Sequence, residues 1–454
     1  MIHKITFECE TITPMFLAGA DGRTPELRAP SIKGALRFWW RAMNGHLPLE
    51  ELRKKEASIF GGVGDKEGKS EISIIVSSKE DRNSFGSNLR SDLRLNWRFA
   101  GGKLQGPHAG IGYLLYSTIL SNRERPYFKP PQNSRPGFQF ILQFCALEKK
   151  FLIQTISAFW VLTFLGGLGT RSRRGGGNFI IKNVNDGNHL ISELGIDFIP
   201  DQMDASAFVQ WFLKNFQKVK NIINEKKPTD FVSEYSNLSI SRFILSKDRF
   251  PDWIAALNDI GEKYQEFRFK HRSDIFDTGV FGLPIVHRRG RLKVQGKYNR
   301  EQIKRRSSPL IFKIVRLEEN LYYWMVLRLA GEFLPPGGVI QANGTRKPDY
   351  RLIDQFWNEL KSVGTEYLLN IPDIFKKKLE IIKENLAPSE IILFGSRARG
   401  DFHRTSDIDI AVRTKENIEG IDLNGALDVV DLSTASDSLL KIIIREGVRL
   451  YESP

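Results

Sequence analysis

Cysteine is almost absent from this chain, with two residues in 454, Cys9 and Cys145. No CxxC pair occurs, and the seven histidines stand at no spacing that would complete a zinc set. A disulfide-stapled scaffold and a zinc module are excluded. Both cysteines lie in apolar, strand-like segments and read as buried free thiols of a cytoplasmic protein, with a single long-range disulfide as the alternative. Long hydrophobic runs are also missing. No apolar stretch approaches the roughly 20 residues of a membrane helix, so no membrane partner is expected. The opening MIHKITFECETITP alternates like a strand and lacks the order of a signal peptide.

Hydrophobic residues are plentiful at 41%, enough for large cores, and the length suggests about two to four domains. Positive charge is plentiful too, with a formal net of +14 that is unevenly spread. From Ile371 onward 12 Lys and Arg face 15 Asp and Glu, a net of −3, which leaves +17 on residues 1–370. A block that basic points to a polyanionic partner whose binding weakens with salt. Solubility alone would not require arginines clustered beside glycines and aromatics.

The first cluster is APSIKGALRFWWRAMNG, Ala29 to Gly45. Pro30 and Ser31 mark a helix start with Ser31 as the expected N-cap. Ile32, Leu36, Trp39 and Met43 share one face of that helix, while Lys33, Arg37 and Arg41 form a row on another, with Trp40 at its edge. A row of like charges repels itself unless it meets an anion. A solvated face with acidic neighbours is the alternative. The second cluster, FLGGLGTRSRRGGGNF, follows an apolar helical run. Its glycines let backbone amides approach a phosphate, and Arg171, Arg173 and Arg174 add bidentate donors. A dinucleotide fingerprint fails here, because Ser172 stands where a third glycine belongs and the helix precedes the loop. Gly68-Lys69-Ser70 likewise fails as a phosphate loop. Val63 replaces the required glycine, and the strand follows the loop.

These segments carry a resemblance. ITPMFLAGADGRTPELRAPSIKGALRFWWRA, followed by GGLGTRSRRGGG, resembles the RAMP superfamily of CRISPR proteins. Within it the match is to the first subunit of the Cmr module of type III-B effectors, and IFGG near Phe60 and RRSSPLIFKI near Leu310 fit the same family. The resemblance implies an α+β body of tandem ferredoxin-like, RRM-type units without nuclease chemistry. It also implies guide CRISPR RNA (at its 3′ end), target RNA and other Cmr-module subunits as partners. A first unit is expected over residues 1–200, then a helical insertion and second unit over 201–350. The amphipathic helix in the insertion would pack on a neighbour. Arg305, Arg306 and Ser307 would contact RNA or form a solvated edge. Among aromatics, Trp40, Tyr113, Tyr127 and Phe128 could stack on unpaired bases or belong to the core. A guide-processing ribonuclease is a competing reading. It would need a positioned histidine, and His108 is the candidate.

A linker is expected over 351–374, with a new unit over 375–454. Its centre is FGSRARGDFHRTSDIDIAV, Phe394 to Val412. Side chains two apart on a strand point the same way, so Asp407 and Asp409 project together while Ile408 and Ile410 face a core. Such carboxylates can hold one or two Mg²⁺ ions against a nucleoside triphosphate, ATP being the expected one. This tail resembles the minimal nucleotidyltransferases of the DNA polymerase β-like superfamily, through Gly395-Ser396, the DID of Asp407 to Asp409, DVVDL, and IIREGVRLYE behind it. The resemblance implies a small mixed sheet, a Gly395-Ser396 turn that cradles the triphosphate, and metal held by Asp407, Asp409 and a third carboxylate. By position the third is Asp428, which would also help deprotonate the acceptor hydroxyl, with Asp431 as second choice. Arg397 and Arg399 would stabilise the leaving pyrophosphate. The rival is a purely structural CRISPR subunit whose tail only binds nucleotide or docks.

Overall fold

The computed structural model describes residues 2–452 except 63, 65–67, 79–83, 120–124, 133–134, 188, 202, 226–234, 288–291, 400–401, 403–405, 417 and 419–426. Val63, and residues 400–401 and 403–405 of the segment Phe394 to Val412, lie outside the described residues.

The first unit runs β1 (His3–Thr11), α1 (Ala29–Met43), α2 (Leu49–Phe60), β2 (Ile72–Ser78), β3 (Gln139–Ala146), α3 (Lys149–Leu165) and β4 (Phe179–Asn185). Its sheet has the order β2-β3-β1-β4, antiparallel throughout, which is the split β-α-β arrangement of a ferredoxin-like fold. Alternation on β1 sends Ile5, Phe7 and Cys9 into the core, and Phe7 faces Leu142 across the ladder. Cys9 lies opposite Phe140 and Cys145 opposite Lys4. The two thiols are therefore free, Cys9 buried and Cys145 half-buried, and no disulfide joins them. The helix α1 begins at Ala29, with Pro30 in its first turn and Arg28 at the N-cap. Ser31 is thus inside the helix, because proline's fixed φ already suits a first turn. Helix α4 (Ala205–Ile223) packs inward on α3, where Phe212 stacks on Trp160 at 5.5 Å between ring centroids. It contributes to the core of its own chain and does not present this face to a neighbour.

The second unit repeats the plan with β5 (Asn237–Ser246), α5 (Trp253–Lys270), β6 (Leu310–Glu318), β7 (Leu321–Ala330), α6 (Arg351–Val363) and β8 (Gly364–Asn370). Its order is β6-β7-β5-β8, again antiparallel. The expected linker over 351–374 is therefore corrected, since α6 and β8 are the second helix and fourth strand of this unit. A strongly amphipathic helix followed by a short strand reads locally like the start of a new domain. Its pairing with β5, from Gly364 opposite Ser246 to Asn370 opposite Ser241, reveals that it closes the old one. Every residue of β5 is buried because its sheet is covered on both faces. Phe243 and Leu245 join the core of the first unit, while Ile244 joins a second core under α5 and α6.

The tail comprises α7 (Asp373–Leu386), β9 (Glu390–Phe394), α8 (Gly395–Arg399), β10 (Ile408–Arg413), β11 (Leu427–Asp431), α9 (Asp437–Glu446) and β12 (Val448–Glu452). The sheet order is β11-β10-β9-β12, with β10 and β11 parallel and the other pairs antiparallel. The tail is seated on the second unit. Ile240 and Ala330 share a core with Phe375, Leu379, Ile408 and Ile410. Arg242 Nη1 donates to the Gly447 carbonyl at 3.0 Å, and Lys220 pairs with Asp373 at 3.2 Å. Among the described residues no helix is long and apolar enough to cross a membrane.

Candidate functional site

The row on α1 opens onto a basic cavity of about 600 Å³. Lys33, Arg37 and Arg41 line it together with Arg53 of α2 and Lys69. Among the described residues one carboxylate faces these five cations. Glu56 is buried and is shared by Arg37 and by Arg41, the latter at 2.6 Å. Arg37 also donates to the Gly61 carbonyl at 3.0 Å. Both arginines remain about a third exposed, at 33% and 38%. The pairs thus order the guanidiniums without neutralising the site. Burial, and then the neighbouring Arg37, push the Lys33 ammonium below its ordinary value, as expected for a cation among cations. Arg53 and Lys69 escaped the sequence reading because they lie on another helix and in a rejected loop.

Trp40 is not part of this surface. It is 2% exposed and its Nε1 donates to Gln154 Oε1 at 2.9 Å, so the expected base platform is a core residue. Tyr127 and Phe128 are buried as well. The arginines of the glycine-rich loop largely stitch the two units together. Arg173 Nη1 donates to the Ser308 carbonyl at 3.0 Å and its guanidinium lies 4.5 Å from the Phe38 ring centroid. Arg174 Nη2 donates to the Phe281 carbonyl at 2.8 Å, and Arg171 Nε to Ser117 Oγ at 2.7 Å. Arg173 is corrected from phosphate ligand to joint. Sequence cannot tell an arginine aimed at RNA from one aimed at a carbonyl of the next unit. Arg306 Nη2 likewise donates to the Glu332 carbonyl at 2.6 Å. His108 accepts at Nδ1 from the Asn96 amide at 3.1 Å, a structural role.

In the tail, Asp409 of β10 and Asp428 of β11 are register partners on adjacent parallel strands, so their side chains leave the sheet on the same face. Asp407 comes immediately before the first residue of β10 and is close enough for its charge to act on Asp409. Ile408 and Ile410 point the other way into the core. Burial, and then Asp428 and Asp407, raise the Asp409 carboxyl above its ordinary value, and Arg399 partly offsets them. Asp431 is taken by the following turn, accepting from the Ser433 amide at 2.8 Å and its hydroxyl at 2.7 Å. Gly395 has φ +72° at the β9–α8 corner, and a Cβ there would collide with the Asp409 carboxylate. Ser396 follows it, half-buried. Among the described residues no group of three or more His, Cys, Asp or Glu stands in ready ligand geometry.

The two arginines of the turn divide their work. Arg397 is buried, with Nη2 donating to the Ser406 carbonyl at 2.8 Å and Nε to the Asp407 carbonyl at 3.2 Å. It braces the SDID segment, which corrects its expected contact with phosphate. Arg399 remains part-exposed, and Nη1 meets Glu446 Oε1 at 2.9 Å. Glu446, at the end of α9, is 1% exposed and was not singled out from sequence. A glutamate before a glycine at a helix end gives no local sign of its partner 47 residues away.

Residues 8–180 match the RAMP superfamily, and residues 376–454 match the polymerase beta nucleotidyltransferases. The chain is 29% identical over 339 residues to CRISPR system Cmr subunit Cmr1-1 of Pyrococcus furiosus, covering 72% of this chain and 88% of that one. The crystal structure of Cmr1 from Pyrococcus furiosus in its apo form aligns with a TM-score of 0.55 at 20% identity, over 81% of this chain and 99% of the other, which shows a shared fold. The tail is similar to the protein adenylyltransferase MntA of Shewanella oneidensis, 32% identical over 87 residues, 16% of this chain and 63% of that protein.

Proposed function

We propose, for a chain that joins a Cmr1-like body of the RAMP superfamily to a polymerase β-type nucleotidyltransferase domain, that the body grips RNA and the tail transfers a nucleotidyl group. The body serves a cytoplasmic type III-B CRISPR ribonucleoprotein in antiviral defence. It holds guide RNA near its 3′ end and target RNA beside the other Cmr-module subunits. Phosphates lie along Lys33, Arg37, Arg41, Arg53 and Lys69. Among the described residues, the excess of cations over the one buried carboxylate supports this reading.

The observation that carries the tail's reading is the register of Asp409 with Asp428, with the Asp407 charge acting on the same carboxyl. The Asp409 carboxyl, raised by burial and then by Asp428 and Asp407, lies among other carboxylates, which suits a divalent cation, and Gly395 keeps the space beside it clear. Asp407, Asp409 and Asp428 would hold one or two Mg²⁺. Bound there, the ions neutralise triphosphate charge and make an acceptor hydroxyl more acidic. The chain's own groups do the rest. Ser396 and Arg399 hold the phosphates of ATP, and Arg397 fixes the backbone that presents Asp407. Asp428 takes the acceptor's proton as its oxygen bonds to the α-phosphorus and the bond to pyrophosphate breaks.

The test is incubation of the intact chain with labelled ATP and Mg²⁺, beside Asp407→Ala/Asp409→Ala. Label transfer lost in the variant is the expected result. No transfer with any nucleotide, with RNA present or in the assembled complex, would make the tail a docking module.

A further inference from the structure

A second cavity, of about 470 Å³, lies where the two units of the body meet. It is built by the hairpin Arg98–Ala100 with Lys103–Gln105, the segment Tyr113–Tyr116, the glycine-rich loop and the C-terminal end of α5, with Thr278 and Val286 beside them. Among the described residues four arginines line it, Arg171, Arg174, Arg268 and Arg272, and no Asp or Glu does. Among the described residues none of the four has a carboxylate at ion-pair distance. Their hydrogen bonds go to neutral groups. Beyond those already described, Arg268 Nη1 donates to Tyr264 Oη at 3.2 Å, and Arg272 Nη1 to the Phe269 carbonyl at 3.1 Å. Burial, and then Arg174, push Arg171 below its ordinary value, and Tyr264 and Tyr113 offset them only in part.

The rim is aromatic and open. Phe99 is 73% exposed and Tyr116 50% exposed, both beside the arginines. Arg272 lies 3.9 Å from the Phe269 ring centroid. Large exposed rings at the mouth of a cationic cavity serve no core. The pairing of π-faces with guanidiniums is the chemistry that receives an unpaired base and its phosphate. The volume is that of a pocket for a small molecule. A trough for acidic peptide would need the cations but not the rings.

We propose that this cavity takes one unpaired nucleotide of a single-stranded RNA, its base against Phe99 and Tyr116 and its phosphate against Arg171, Arg174 and Arg272. The proposal rests on the reading of the body as an RNA grip and adds a second site, distinct from the cavity on α1. It gives the contact a preference for unstacked residues, where phosphate contacts alone would accept any polyanion.

The experiment uses the full chain and a short single-stranded RNA carrying 2-aminopurine, with affinity read by fluorescence polarisation. Wild type, Phe99→Ala/Tyr116→Ala, and the control Leu147→Ala, which removes an exposed apolar side chain outside the cavity, are compared. The expected result is a change in 2-aminopurine emission on binding that the double variant loses, with Kd raised about 10-fold and the control unchanged. RNA with abasic sugars should bind wild type and double variant equally. A double variant with wild-type affinity and emission would overturn this site alone. A wild-type chain that binds no RNA would overturn it together with the RNA reading. Polyglutamate competing as well as RNA of equal charge would reduce the cavity to a simple anion trough and overturn the proposal.

Discussion

Glu446 meets Arg399 at 2.9 Å across the tail, joining the end of α9 to the turn beside Asp409. The carboxylate is almost wholly buried, and the guanidinium stays part-exposed. Glu446 therefore sets where Arg399 points. Glu446→Gln keeps the shape and removes the counter-charge. Nucleotidyl transfer should fall at least 10-fold while RNA binding by the body stays unchanged. The fall should appear as a rise in the KM for ATP if Arg399 holds phosphate in the ground state, and in kcat if it acts only on the leaving pyrophosphate. Unaltered transfer would remove Arg399 from the phosphate site.

Gly395 offers a sharper probe of the same corner. Alanine there faces both a positive φ, a cost of roughly 1–2 kcal/mol, and a collision with the Asp409 carboxylate. Gly395→Ala should abolish transfer and leave the melting of the body intact. Transfer at wild-type rate would mean that Asp409 does not need its present position.

Arg53 and Lys69 separate phosphate binding from folding, since neither has an ion-pair partner among the described residues. Arg53→Ala with Lys69→Ala should weaken RNA binding across sequences and flatten its salt dependence by about 0.7 in log–log slope for every phosphate no longer neutralised. Thermal stability should move little. An unchanged slope would take this cavity out of the RNA path.

Arg173 makes the opposite prediction. Its hydrogen bond to Ser308 and its place over Phe38 tie the two units, so Arg173→Ala should destabilise the body by about 1–3 kcal/mol. Denaturant unfolding checks this. A variant that melts normally but binds RNA poorly would restore the phosphate role expected from its sequence.

Lys313 makes stability depend on pH. Burial lowers its ammonium from 10.5 to about 7, and its Nζ donates to the Gly166 carbonyl at 2.9 Å. The folded value lies below the unfolded one, so between these limits the unfolded chain binds more protons and stability rises with pH. Each pH unit in that window contributes about 1.4 kcal/mol. Lys313→Met should flatten the slope of unfolding free energy between pH 7 and 9 by about that amount per unit, the Gly166 carbonyl retaining its bond from Asn178 at 3.0 Å. An identical slope in the variant would show that Lys313 stays charged in the fold.

The amino-acid order alone determined whatever depends on neighbours along the chain. Ile32, Leu36, Trp39 and Met43 share a buried helix face because 3.6 residues make a turn. Asp409 leaves the sheet on the face opposite the buried Ile408 and Ile410 because a strand repeats every two. The uneven charge and the motif segments belong to that local record as well. Tertiary structure alone decided the partners. A guanidinium reaches any oxygen that folding brings near, so Arg37 and Arg41 converge on Glu56, Arg173 turns to Ser308, and Arg397 turns back on Ser406. The same holds for backbone edges. The segment Gly364–Asn370 is a strand of the second unit only because β5 offers it an open side. Periodicity is a property of the chain itself, whereas pairing is a property of what the chain packs against.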